Sequence, residues 1–506
     1  MAKKQEFATA ERLAAEGGIA SDESAVAELE IKTNENPTEE PENEPAESTA
    51  AKGDSGEAGC PIRMGDYDTS QRCGRKIHPA PDGIDENPVC LMHSKDPRKH
   101  SGLLCDAFWQ EFERVLAEAG EGEAHFEYFV FPVLDFSKRT FQAICRFDGA
   151  TFTQKADFSV ATFTLNAHFS GSTFTQNADF FYATFMQNAH FDWTTFRQMV
   201  SFQGTKFRGT ITWRCSRFLD QTEFRRTKFE HLVEGKPSAV FALAMFSKPR
   251  EVVFDNVDLS RAIFHNCDVS QVWFTSSVRW AMREGTRGIA VFEETIPLEH
   301  EIGTTTSEKL LWMELQRDGQ RDYRAVAQIY QQLKKNYDSR LDYWTANEFH
   351  FGEMEMKRLA VPASGRLLWL RQWWHRNLSF VAWYRFASDY GNNYRKPLLL
   401  LLFFVLFLFP AAFPFPSVGL RRHVDKRVET YFSVWDYQKS YRENFWKEKN
   451  LALNSLVASV DIAEFQKSPE FEPALPRGHV LAIYETLLTS SLFALFLLAI
   501  RRQFRR

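Results

Sequence analysis

From residue 136 to residue 229 a bulky ring recurs at steps that alternate between five and six residues: Phe136, Phe141, Phe147, Phe152, Phe158, Phe163, Phe169, Phe174 and onward through Phe207, Trp213, Phe218 and Phe224 to Phe229. The true period is eleven, and a fixed period constrains the fold before any other feature is read. Eleven residues also make about three turns of α-helix. At about 100° per residue, however, a step of five turns by about 140° and a step of six by about 240°, so successive rings would stand on nearly opposite sides of a helix. A flat strand does no better, because odd and even steps send side chains to different faces. The position two before nearly every ring is small or β-branched, as at Ala150, Ala156, Ala161, Ala167, Ser172, Ala178, Ala183, Ala189, Thr194 and Val200. That couplet fits a β-solenoid with four sides to a coil, each side pointing its ring and the preceding small residue inward. The sixth residue of alternate units is expected to be absorbed as a bulge at one corner. If two eleven-residue units make a coil, residues 126–232 stack four to five coils spaced about 4.8 Å apart. Each coil buries its rings only against its neighbours, so the rod needs caps.

The couplet A-x-F-x-x-A-x-F with an interposed residue, as in "ATFTQKADFSVATFTLNAHF", resembles the pentapeptide-repeat family in its phenylalanine-centred form. The resemblance implies a right-handed quadrilateral parallel β-helix. A second block, residues 233–276, has the strict five-residue spacing, with centres Phe254, Leu259, Phe264, Val269 and Phe274. Gly235 and Pro237 interrupt the pattern between the blocks, although Phe241 and Phe246 keep a five-residue step. The family is named for its repeat and not for a shared activity, so the resemblance carries fold further than function. It includes members that mimic DNA and bind topoisomerases, a role that requires a strongly acidic rod. Here the later coils carry Arg197, Lys206, Arg208, Arg214, Arg217, Arg225, Arg226 and Lys228, more cations than acids. No nucleic-acid partner is expected.

The chain has 506 residues, enough for several domains, and its formal charge of −5 hides an asymmetry along its length. Residues 1–57 are rich in Glu, Ala, Ser and Pro with almost no aromatics, and are expected to stay disordered. The opening "MAKKQEFATAERLAAEGG" lacks the apolar core of a secretory signal. The repeats are therefore expected in the cytosol, with free thiols. Residues 58–100 contain Cys60, Cys73, Cys90 and His93, with a C-x-x-H pair suited to one corner of a tetrahedral ion. Three thiolates and an imidazole form a closed set of the kind that holds a structural Zn²⁺. Such a short segment, poor in apolar residues, gains from a metal in folding. His78 is a spare ligand, and four unrelated polar-loop residues are the alternative. Cys105, Cys145, Cys215 and Cys267 read as small core residues.

Residues 101–125 have helical apolar spacing up to Gly120 and are placed to cover the first coil. Residues 277–360 include an α-helical hairpin, with Leu333 and Tyr337 on one face of its first helix and Ala346, Phe349 and Met356 on its second. The pattern is faintly like a tetratricopeptide pair but occurs once, which favours packing over peptide binding. Glu348, Glu353 and Glu355, interspersed with Lys and Arg, read as a solvated, ion-paired helix face.

The C-terminal quarter changes solvent. Residues 396–416 and 479–500 are each long and apolar enough for a transmembrane helix. Arg395, Lys396 and the tail 501–506 place both ends in the cytosol by the positive-inside rule, against which Arg421, Arg422, Lys426 and Arg427 stand on the wrong side. Residues 361–395 mix Arg with Trp369, Trp373, Trp374 and Trp383, the composition of a helix in the headgroup layer or of a buried linker. The loop 417–478 includes an apolar stretch, 451–465, long enough for a short re-entrant helix. Span, dipping helix and span is the layout of a cation pore, and residues 477–506 resemble the inner helix of two-span channel-like domains that follow pentapeptide repeats in some membrane proteins. A potassium filter needs a T-V-G-Y-G-type turn, and no glycine follows this stretch before Gly478. Asp461 and Glu464 fit either a carboxylate ring in a homo-oligomer or exposed acids of a surface helix. Glu485 is an acid inside a span, a functional group by default unless it merely reaches the interface.

No phosphate loop, nucleophile elbow or open metal set points to an enzyme. Two readings remain: a non-catalytic integral membrane protein whose cytosolic solenoid serves as a protein-interaction or assembly scaffold, and an oligomeric ion channel or channel-like sensor.

Overall fold

The computed structural model of the chain describes residues 59–65, 71–230, 235–283, 288–296, 309, 313, 315–317, 320–360, 368–415, 417–424, 427–432, 451–463 and 471–503. The tail 1–57 and Glu464 lie outside the described residues. The rings do what their period requires. In the first block the strand pairs are parallel and join residues 22 apart, so that Phe141, Phe163, Phe185, Phe207 and Phe229 succeed one another up a single ladder. Four such ladders, of five, seven, six and seven strands, make a parallel β-solenoid of about seven turns. The two sequence blocks form one stack, because Ala239, Met245 and Val252 pair with Ile211, Arg217 and Thr222 of the first. Rings stack along the rod, as Phe163 on Phe185 at 4.8 Å and 3°. Around a coil they meet edge-on, as Phe158 against Phe169 at 5.8 Å and 90°. Both arrangements suit the ring quadrupole.

The five-residue step is a tight turn in which the amide of Ala161 bonds the Phe158 carbonyl at 3.0 Å, with Val160 between them at φ +60°. Positive φ recurs every eleven residues, at Gly149, Val160, Gly171, Tyr182, Trp193, Gly204, Cys215 and Arg226. The six-residue step is a wider bend, as at residues 175–177. Tight and wide corners therefore alternate, and the extra residue widens every second corner rather than bulging at one. Where the small position is a hydroxyl, it is buried and satisfied: Ser172, Thr194, Thr205 and Thr227 donate to the carbonyls of Phe147, Phe169, Phe180 and Phe202 at 2.6–2.8 Å. Cys145 and Cys267 lie in the core, but Cys105 and Cys215 are only half-buried, Cys215 because it sits on a tight turn.

Both ends of the rod are covered. The helix Gly102–Ala119 lays Phe112 on Phe126 at 4.5 Å and on Phe136 at 5.1 Å. At the other end stand the helices Tyr323–Ser339 and Tyr343–Leu359, each started by an aspartate: Asp322 accepts from the Arg324 and Ala325 amides, Asp342 from that of Thr345. Asn336 Nδ2 donates to the last coil's Val269 and Val272 carbonyls at 2.8 and 2.7 Å, and Arg340 to those of Val272 and Phe274. Of the acids Glu348, Glu353 and Glu355, the last two are ion-paired but not solvated, while Glu348 is half-buried. Glu353 is buried between Lys334 and Lys357, and Glu355 between Arg358, Arg385 and the Tyr390 hydroxyl. Lys357 and Arg358 lie on the same helix, but Lys334, Arg385 and Tyr390 come from other elements and help to bury the two acids, which the local run of charge does not show.

The Trp/Arg-rich stretch is two helices, Leu368–Leu378 and Phe380–Ser388, because Ser379 caps the second by accepting from the Ala382 amide. Two helices, Arg395–Ala412 and Pro476–Gln503, are long and apolar enough to cross a membrane. Between them lie the short helix Leu451–Ala463 and a three-stranded antiparallel sheet, Leu420–Val424 with Arg427–Phe432 and Phe471–Pro473. The sheet is absent from the reading of this loop.

Candidate functional site

Two strands and a knuckle build the N-terminal site. Cys60 and Cys73 flank the pair Arg63–Met64 and Gln71–Arg72, held by the Cys60 amide on the Arg75 carbonyl and the Cys73 amide on that of Ile62. Gly59 lets the two chains meet, since a side chain there would stand 2.3 Å from the Gly74 carbonyl oxygen. Cys90 and His93 come from a turn closed by the His93 and Ser94 amides on the Cys90 carbonyl. The four ligand atoms lie within 4.8 Å of one another. Cys73 Sγ is 3.8 Å from Cys90 Sγ, and His93 Nδ1 is 3.2 Å from Cys90 Sγ and 3.4 Å from Cys60 Sγ. A tetrahedral ion with metal–sulfur distances of about 2.3 Å and a metal–nitrogen distance of about 2.0 Å has edges of about 3.8 and 3.5 Å. The set fits a metal ion.

The surroundings favour ligation. His93 Nε2 lies 3.1 Å from the Glu127 carbonyl; that oxygen only accepts, so Nε2 carries the proton and Nδ1 faces the thiols with its lone pair. The hydrogen bond with Cys90, then His93 and the Arg75 guanidinium 3.2 Å away, draw the Cys73 thiol down to about 3. That same bond with Cys73, and burial, push the Cys90 thiol up. In such a pair one proton is shared, and a bound cation would displace it. His78 takes no part: it pairs with Asp96 at 2.9 Å. Arg75, two residues from Cys73, and the Glu127 carbonyl, which the fold brings to His93, went unread in the sequence. The site is joined to the rod, with His93 edge-on to Phe129 at 5.2 Å and the Val130 amide on the Met92 carbonyl at 2.8 Å.

Residues 136–184 match the family Pentapeptide repeats, in nine copies. Searches among curated proteins and among solved structures found no match.

The acids of the C-terminal quarter part company. Asp461 is buried on Leu451–Ala463, not an exposed acid of a surface helix. Glu485 is fully buried, so it does not reach out to an interface. Its Oε1 is bonded to Ser459 Oγ, which also lies 3.0 Å from the Val405 carbonyl. That carbonyl needs a donor for a reason visible in the chain. Residues Phe404–Leu408 are π-helical, with the Phe409 amide bonded to the Phe404 carbonyl. In that register the partner of Val405 is Pro410, which has no N–H. Ser459 takes its place.

Proposed function

We propose that this is a non-catalytic integral membrane protein whose solenoid, held beside the bilayer, is a protein-interaction or assembly scaffold. One observation carries the membrane part. Only 11% of the most apolar window of Arg395–Ala412 and 22% of that of Pro476–Gln503 are buried, whereas the core helix of a soluble domain hides such residues. Phe403, Phe407, Ile483, Leu487 and Phe493 are exposed by half or more. Apolar surface of this extent needs lipid or a partner. Trp369, Trp373, Trp374 and Phe380, exposed just before the first span, suit the headgroup layer. Arg502 donates to the Tyr390 carbonyl at 3.0 Å, so the basic ends of the two long helices meet. This supports placing that end, the rod and both termini in the cytosol. The four ladders support a four-sided coil, of the right-handed sense usual for parallel crossovers. Zn²⁺ in the cysteine–histidine site has a structural role, closing the first coil.

The scaffold part rests on the rod's closed ends and decorated corners. Val160, Phe181 and Tyr182 form an exposed apolar ridge on neighbouring coils, with Phe181 and Tyr182 in edge contact at 4.5 Å. Carbonate-washed membranes are expected to retain the chain, and release into the wash defeats the membrane reading. Replacing Phe181 and Tyr182 by serine is expected to strip co-purifying proteins from the solubilised complex. An unchanged set defeats the ridge. A second reading, a pore of several copies, is favoured by the packing of Leu451–Ala463 against both long helices. Size determination in detergent separates the two, because a pore needs copies around an axis.

A further inference from the structure

Between the two long helices and Leu451–Ala463 lies a fully buried acid, Glu485, and the protons available around it fix its chemistry. Ser459 has one hydroxyl proton and two neighbours within hydrogen-bonding reach, the Val405 carbonyl at 3.0 Å and Glu485 Oε1. The carbonyl can only accept. It has lost its helical donor to Pro410, so the serine proton belongs there. The contact between Ser459 and Glu485 then needs its own proton, and the carboxyl is the group left to supply it.

Burial points the same way. Glu485 is fully buried and its Oε2 has no hydrogen-bond partner among the described residues. An ionised carboxylate in such a place, bare on one oxygen, is far more costly than a neutral acid. Among the described residues, the elements around it bring no compensating cation to it. Arg395 and Lys396 stand at the start of the first long helix, and Leu451–Ala463 carries only Asp461. The strand Phe471–Pro473 carries Glu472, and its own helix has Arg477, His479, Arg501 and Arg502, all six or more residues away.

We propose that Glu485 is a proton-binding site within the membrane-spanning part of the protein, its carboxyl donating to Ser459 and Ser459 donating to the Val405 carbonyl. The bound proton holds Leu451–Ala463 against both long helices, since Ser459 is the hydroxyl that bridges them. Removing it at alkaline pH leaves two acceptors competing for one hydroxyl and releases that helix. The inference rests on the membrane reading of the two long helices, which carbonate extraction judges separately.

The test is infrared difference spectroscopy of the full-length protein in phosphatidylcholine vesicles at neutral pH, native against Glu485→Gln. The substitution is expected to remove the carbonyl stretching band of a protonated carboxylic acid, a band that moves in heavy water. Loss of carboxylate bands in its place overturns the proposal. Should Glu485→Gln not assemble, Ser459→Ala serves, because it deprives the acid of its acceptor and is expected to move the same band to higher frequency. An unmoved band overturns the proposal equally.

Discussion

Val160 occupies a backbone conformation that a β-branched residue resists, at φ +60° on a tight turn. Gly149, Gly171 and Gly204 hold the equivalent position on other turns, so the fold itself needs no side chain there. Left-handed conformation costs an L-residue roughly 1–2 kcal/mol, partly offset by the greater unfolded-state freedom of glycine. Val160→Gly is therefore expected to stabilise the rod by about 0.5–1 kcal/mol, read by chemical unfolding. Gly149→Ala is expected to act oppositely, since its new carbon would stand 2.6 Å from the Tyr128 ring. Glu293 offers a pH test. Its Oε1 accepts from the Phe264 amide, its Oε2 has no partner among the described residues, and burial pushes its carboxyl up to about 7. An acid with a raised value binds its proton more tightly folded than unfolded. Its effect is thus least harmful below about pH 4.5, and stability falls as pH rises toward 7, by at most roughly 3 kcal/mol. Exchange of the Phe264 amide, corrected for its intrinsic rate, is expected to be faster at pH 8 than at pH 5, and the difference to vanish in Glu293→Gln. The rings were legible from their spacing. The turn residues were not, because valine, tyrosine, tryptophan, cysteine and arginine stand where glycine would have announced the conformation.

At the scale of elements, the solenoid and hairpin could be read because each repeats or alternates within a short window. What could not be read depends on partners far along the chain. The strand Leu420–Val424 pairs with Phe471–Pro473, and nothing in either run of sequence names the other. Ser459 and Glu485 lie on different helices, and their joining depends on a proline in a third. In the same way the cysteine–histidine set was visible, while the Glu127 carbonyl that holds His93 was not. The hairpin shows how one side chain can close an element. Asn336 holds two carbonyls of the last coil, and without it both lose a donor in a buried place. Asn336→Ala is expected to cost about 1–3 kcal/mol. Hydrogen exchange should quicken across the coil of Phe254 to Phe274 while that around Phe163 to Phe185 stays protected. Equal loss throughout would mean the hairpin does not act as a local cap.

At the scale of the whole molecule, the rod carries an attachment at each end. Its first coil is tied to the cysteine–histidine site through Met92, His93 and Phe129, and its last to the hairpin through Asn336 and Arg340. The hairpin in turn receives the end of the second long helix, where Arg502 donates to Asn347 Oδ1 at 2.7 Å. A solenoid in which each coil contacts only its neighbours transmits loss of one cap no further than the coupling between coils allows. Here each coil between the first and the last keeps rings stacked at about 5 Å on both of its neighbours, on every side of the core, and is held without the cap. Removal of a bound metal by a chelator is therefore expected to raise hydrogen exchange at Phe129 and Val130 and across the Cys60 and Cys90 segments. The coils from Phe174 onward, the hairpin and the Arg502 contact should keep their protection. Cys73→Ala should reproduce the pattern without chelator, because it removes one ligand and leaves the first coil's own rings intact. If chelation left the exchange of Val130 unchanged, the four side chains would be packing against the rod without a metal. If it loosened the hairpin as well, the coils would be acting as one cooperative body, and the end at the two long helices would sense the state of the thiols along the whole column of rings.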